Sequence, residues 1–224
     1  MDPRTHLPVE VLLLADGRLP AGGHVHSGGI EQAVHESVVD DLASLTAWLH
    51  AWVPTVGEVD ATLAAAAAQG ALPWETLLAE HDARVPVPSR REAARARGRA
   101  WLRVADAAFG PLALPVAAHR SGWPLPIVTG AVLVAIGRSP NDAAVLILHG
   151  GASECATAAI RLLGLDPVGV TSVLASLVEP IVDTATRAVA ASLRPAEAWP
   201  AWATPALDLA TAAHHGRDDR YFVT

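Results

Sequence analysis

Apolar residues in this chain recur at three- and four-residue intervals, and prolines and glycines punctuate the runs where helices start and stop. Leu42, Leu45, Trp48, Leu49, Trp52 and Val53 form one such stripe behind Asp40 and Asp41, which can cap it, and Pro54 is expected to stop it. Residues 60–69 are almost all alanine and predict a helix with Gly70 at its C-terminal cap; Pro73 can open the next, over 74–84. Ser89 and Glu92 make a capping-box pattern after two prolines, predicting a long helix that ends at Gly110 and Pro111. Past a connector over 111–123, the pattern predicts a helix at 127–136 and another from Pro140 across Gly150 and Gly151 to Leu163. A further helix starts at Asp166 and Pro167 with a kink at Pro180, and a last one runs from Thr204 and Pro205 to His214. β-Branched residues cluster only in short runs, which favours helix over sheet. The expected architecture is all-α: a single-domain bundle of about eight to ten helices over residues 1–216, a mobile stretch near 194–205, and a polar tail, 217–224.

Composition narrows the chemistry. With 51% hydrophobic and 17% charged residues, a disordered chain is excluded. All sixteen basic residues are arginine, so neither a P-loop nor a Schiff-base site can be built, because both need a lysine. Cys155 is the only cysteine, which excludes an internal disulfide, a zinc knuckle and a redox pair, and points to a reducing compartment. The opening MDPRTHLPVE lacks the apolar core of a signal peptide, so a cytoplasmic location is expected. The longest apolar stretch, 125–148, is interrupted well short of the roughly 20 residues a membrane span requires and reads as buried helix. A net charge of −7 argues against nucleic-acid binding. Residues 84–103 nevertheless hold seven Arg and one acid, Glu92, a local +6 that leaves −13 elsewhere. Within them Arg91, Arg95, Arg99 and Arg103 line one helical face, whose plain reading is a solvated surface.

The stretch LPAGGHVHSGGIEQAV, residues 19–34, is the densest in candidate chemistry. His24 and His26 could ligate a metal with oxygen from Asp16 and Glu31, yet nothing in the sequence places those carboxylates beside them. Gly22, Gly23, Gly28 and Gly29 could cradle phosphate, but no strand precedes them. They could also form a turn into a helix, with Ser27 or a neighbour capping it and Glu31 in the first turn. His214 and His215 suit a helix C-terminus, and Cys155 suits a buried small hydrophobe. No nucleophile elbow or catalytic constellation is present, which favours an interaction protein over an enzyme.

The same stretch resembles the N-terminal signature of the urease accessory protein UreF family, approximately L-P-x-G-[GA]-F-x-[YH]-S-x-G-L-E-x-x-V. Leu19, Pro20, Gly22, Gly23, His26, Ser27, Gly29, Glu31 and Val34 match in register; His24 replaces the usual Phe, and Ile30 replaces Leu. Three further blocks agree in order: Arg91, Gly98 and Arg99, with Ser89 in place of the usual Glu; Pro126, Val128 and Gly130; and Arg161 with Leu162, without the Pro-Leu-Gly-Gln that commonly follows. The ending RYFVT is similar to the family's R-L-F-x-S, with Arg220 and Phe222 retained.

The resemblance implies an all-α protein, usually dimeric, without enzymatic activity. It would bridge a UreD-type (or UreH-type) protein and the GTPase UreG, and control GTP-dependent nickel delivery to apo-urease. Glu31 and Arg161 match functional positions and become candidates for the GTPase-facing surface; Arg220, Tyr221 and Phe222 become candidates for the UreD-type partner. No cofactor is expected to bind tightly, nickel being at most in transit. His24 and His26 then have three readings, in order of preference: packing the turn, touching a partner, or lining a nickel route. The alternatives in other classes are a helical ligand-binding regulator and a metal-dependent enzyme using His24 and His26.

Overall fold

The computed structural model describes residues 9–115, 118–202 and 204–222, apart from the side chains of His24, Pro205, Ala206 and His215. The described residues form eleven α-helices and no strand, so the all-α expectation holds. They are α1 (Val9–Leu14), α2 (Ile30–His35), α3 (Leu42–Trp52), α4 (Glu58–Gln69), α5 (Trp74–Arg84), α6 (Pro88–Phe109), α7 (Leu125–Ala135), α8 (Pro140–Leu163), α9 (Pro167–Ser176), α10 (Val178–Ser192) and α11 (Pro205–His215).

The alanine-rich α4 is the axis of the bundle. Its residues 61–68 are all buried, and α7, α8 and α10 pack around it. A helix that is apolar all round belongs in a core, and alanine adds so little volume that neighbours approach to near backbone contact. Gly130 of α7 shows how close: a Cβ there would lie 2.1 Å from the Ala64 carbonyl oxygen. The long α8 lies beside this axis, and Ser139 caps it with Asp142 in a reciprocal pair. Among the described residues α8 alone is long and apolar enough to cross a membrane, and the bent pair α9 and α10 passes the same test together. More than half of the apolar stretch of α8 is buried inside the protein, as befits a core helix.

Several boundaries differ from those read in the sequence. Pro54 does not end α3; a π-helical turn, Val53–Gly57, carries the chain straight into α4. Proline's fixed φ is helical, and a widened turn tolerates the missing N–H and the bulk of the ring. The Ser89–Glu92 capping box does not form, because α6 starts at Pro88 with extended Val87 as its N-cap, so that proline takes the first helical position. The kink expected at Pro180 falls instead at Leu177, between α9 and α10, whose axes bend by 42°. The proline ring opposes the carbonyl one turn upstream, at Ser176, so the break appears before the proline. The stretch near 194–205 is tied down where described: the Trp199 ring is buried, its Nε1 donates to the Arg194 carbonyl, and Arg84 stacks over it with Cζ 5.6 Å from the ring centre.

The basic segment is mostly neutralised by the fold. Arg84 pairs with Glu80, Arg90 with Asp208, Arg95 with Asp82 and Arg97 with Glu154. Of the four-residue ladder, Arg91 donates to the carbonyls of Val85 and Pro86, and Arg99 to that of Ser121; Arg99 and Arg103 are exposed and fit the solvated reading.

Candidate functional site

The glycine-rich signature folds as a tight turn against α8 and α11. Gly22, Gly28 and Gly29 adopt positive φ of 78°, 61° and 93°, which other residues rarely hold. The space is as restrictive as the backbone. A Cβ on Gly28 would lie 2.5 Å from Cys155 Sγ, one on Gly29 2.5 Å from Leu207 Cδ1, and one on Gly23 2.9 Å from Glu154 Oε1. Pro20 stands exposed at the start of the turn, and Ser27 is fully buried within it. The N-cap of α2 falls on Gly29, a neighbour of Ser27 with no side chain of its own to cap with. The Ser27 carbonyl instead accepts from the Ile30 amide at 3.1 Å.

The turn delivers Glu31 into the interior, where it is 3% exposed. Its carboxylate gathers three donors from the far end of the chain: His214 Nε2 at 2.7 Å, the Tyr221 amide at 2.8 Å and the Phe222 amide at 3.0 Å. Burial pushes the Glu31 carboxyl upward, but the bonds from His214 and the two amides outweigh it and hold the group below its ordinary range. The Phe222 ring is buried, and the Arg161 guanidinium lies over it, Cζ 5.1 Å from the ring centre. Arg217 reinforces the seat by donating to Gln32 Oε1 at 3.3 Å and to Asp219 at 2.9 Å.

This geometry corrects two placements. Glu31, expected on an exposed partner surface, is buried and serves as the anchor of the tail. His214, assigned to its helix dipole, is 4% exposed and spends its Nε2 on Glu31. The fold thus joins in one cluster the residues assigned to two different partners: Glu31 and Arg161 on one side, Phe222 and the Tyr221 backbone on the other. The Arg220 side chain and the Tyr221 ring point outward from that cluster and are exposed.

Beneath the turn and the tail lies a cavity of about 270 Å³. His26, Gly28 and Phe222 line it from above, and Asp60, His81 and Thr129 are among the polar residues below. Burial pushes the Asp60 carboxyl above its usual range, against the pull of Arg90, His81 and Arg97, and lowers His81, whose Nδ1 lies 3.0 Å from Asp82. Asp60 and His81 carry no signal in the sequence, because their helical patterns differ in no way from those of other polar positions. His26 is buried against this cavity, while the His24 side chain lies outside the described residues. Among the described residues no group of three or more His, Cys, Asp or Glu is disposed to hold a metal ion. Burial, with the nearby Glu154, pushes the Cys155 thiol up to about 12, which fits an inert core residue.

The sequence as a whole decides the family. A family profile for UreF matches residues 39–178. The chain is 39% identical over 217 residues to "Urease accessory protein UreF" of Mycobacterium sp. (strain JLS), covering 96% of this chain and 97% of the relative. The chain belongs to the UreF family. A UreF of Mycolicibacterium vanbaalenii is 40% identical over 182 residues, covering 75% of this chain and 78% of the relative. One of Mycobacterium tuberculosis (strain H37Rv) is 39% identical over 190 residues, covering 80% and 86%. The profile match runs from Val39 to Val178 and so includes neither the signature turn nor the tail, the two segments that Glu31 joins.

Proposed function

We propose that this UreF-family chain is a non-enzymatic cytoplasmic scaffold in urease maturation. It bridges a UreD-type (UreH-type) protein and the GTPase UreG, acts as a homodimer, and couples GTP turnover by UreG to nickel delivery into apo-urease. The observation that carries the reading is the seat of the tail. One buried carboxylate holds the backbone of Tyr221 and Phe222 and leaves the Tyr221 ring and Arg220 outward, as a docking element for the UreD-type partner requires. Arg161, stacked on Phe222, sits at the edge of the same cluster, so a GTPase engaging Arg161 would sense whether the tail is seated. Such a contact biases a switch protein only if its strength differs between nucleotide states, which makes coupling through one shared cluster an economical arrangement. Nickel would pass as cargo without resting on this chain, with His24 and His26 its candidate contacts. A scaffold of this kind needs no lysine, P-loop or reactive thiol.

The test is urease activity in cells carrying the cognate urease genes, with and without this reading frame, while nickel is titrated into the medium. Loss of activity on deletion, restored by the gene at unchanged apo-urease levels, is the expected result. Undiminished activity at every nickel concentration would sink the proposal and favour the ligand-binding regulator.

A further inference from the structure

Most arginines of this chain are engaged by its own carboxylates, carbonyls or rings, and three that meet no acid stand together. Arg103 and Arg120 are exposed and make no side-chain hydrogen bond or ion pair among the described residues. Arg99, also exposed, reaches only the Ser121 carbonyl, at 3.3 Å. Arg99 and Arg103 lie about one turn apart on α6, roughly 6 Å along its axis. Arg120 comes from the π-helical turn Ala118–Gly122, which contacts on both sides lay along the same helix. On one side His119 Nδ1 lies 3.5 Å from Asp106 Oδ2. On the other Ser121 meets Arg99, and Gly98 admits the chain so closely that a Cβ there would lie 1.9 Å from the Trp123 carbonyl oxygen. Residue 120 therefore sits between the points where the turn touches positions 106 and 99, the stretch of α6 that carries Arg103.

The acids of α6 do not pair with these arginines. There are two, Glu92 and Asp106. Asp106 accepts the Leu112 amide at 3.0 Å and faces His119. Glu92 lies about 10 Å from Arg99 along the axis, beyond the roughly 8 Å screening length of physiological salt. The chain as a whole carries −7, so this is a positive patch on a negative molecule. An anionic partner is drawn to the patch and repelled by the rest of the surface, which fixes where it lands as well as how fast.

We infer that the face formed by Arg99, Arg103 and Arg120 is a docking site for an acidic segment of a partner protein. A guanidinium fork binds a carboxylate through two parallel hydrogen bonds, and two forks about 6 Å apart match carboxylates on alternate residues of an extended peptide or on successive turns of a helix. Nucleic acid and an anionic membrane fit less well, because their charge extends past three arginines onto a molecule whose net charge opposes it.

Fluorescence anisotropy on the purified full chain tests the inference, with a labelled decaglutamate peptide as the probe. The wild type binds it at low salt, and binding weakens as ionic strength rises from about 0.05 M to about 0.5 M. R103E/R120E weakens binding at least about tenfold, whereas R103K/R120K, which keeps the charge and loses the fork, stays within about tenfold of the wild type. R194E, at an exposed arginine elsewhere that likewise has no ion partner among the described residues, leaves binding unchanged. All of these positions are exposed, so unchanged thermal melts are expected and assign any loss to docking. A wild type that ignores the peptide at low salt, binding indifferent to R103E/R120E, or an equal loss in R194E would overturn the assignment. Tighter binding of an oligothymidylate of the same length, or of phosphatidylserine vesicles, abolished by R103E/R120E, would also overturn it by giving the face to nucleic acid or to membrane.

Discussion

Replacing Glu31 with Ala should free the C-terminal tail while leaving the helical bundle folded. The carboxylate accepts three hydrogen bonds, at 2.7, 2.8 and 3.0 Å, and all three donors belong to α11 or the tail. A hydrogen bond to a charged group contributes about 1.5 kcal/mol at the low end of the usual range, so the three together hold the tail by roughly 4–5 kcal/mol. Against this stands the ordering of residues 217–222, at about 1–2 kcal/mol each for the backbone, offset in part by burial of the Phe222 ring and its contact with Arg161. With terms so close to balance, removing 4–5 kcal/mol raises the open population by about a thousandfold. Trypsin reports it directly, because Arg217 and Arg220 both lie in the tail. Cleavage there should be at least about tenfold faster in E31A, with deuterium uptake at the Tyr221 and Phe222 amides raised to match and the rest of the chain unchanged. The pH dependence follows from the same carboxylate. Glu31 is depressed from its ordinary value of 4.5, so its contribution is present above about that pH and is lost as pH falls through the lower folded value. In E31Q that acid-side loosening should disappear. A tail in E31A as protected as in the wild type would refute the claim that Glu31 seats it.

The packing of the signature turn makes two further predictions. Gly28→Ala should destabilise the chain by about 1–3 kcal/mol in a thermal or urea melt, through its positive φ and the 2.5 Å approach to Cys155 Sγ, and C155A should recover the steric part. Gly130→Ala should cost more and find no side-chain rescue, because the atom it meets at 2.1 Å is the Ala64 carbonyl; additive behaviour of G28A with C155A would show the turn is not packed as described. Cys155, buried and pushed up to about 12, should react with a maleimide at pH 8 only as fast as the chain unfolds, and rapid labelling of the native protein would contradict its burial.

What the sequence determined by itself is local. The apolar intervals, the Asp41 and Asp166 N-caps and the positive-φ cap at Gly70 are short-range signals, and the structure starts or stops helices where they stand. The signature string was equally legible, since its glycines answer to a turn that must be left-handed and tight. Short-range rules failed where two local devices competed, as at Pro54 and Ser89, because either outcome satisfies the backbone and packing chooses between them. What only the tertiary structure decided is the site. Glu31 and His214 are 183 residues apart, and no periodicity links a carboxylate in one helix to an imidazole and two amides at the other end of the chain. The resemblance made Glu31 a candidate for a GTPase-facing surface, and charged side chains are usually exposed. Burial reverses that inference, since a carboxylate inside a protein must collect donors, and the donors within reach there were those of the tail.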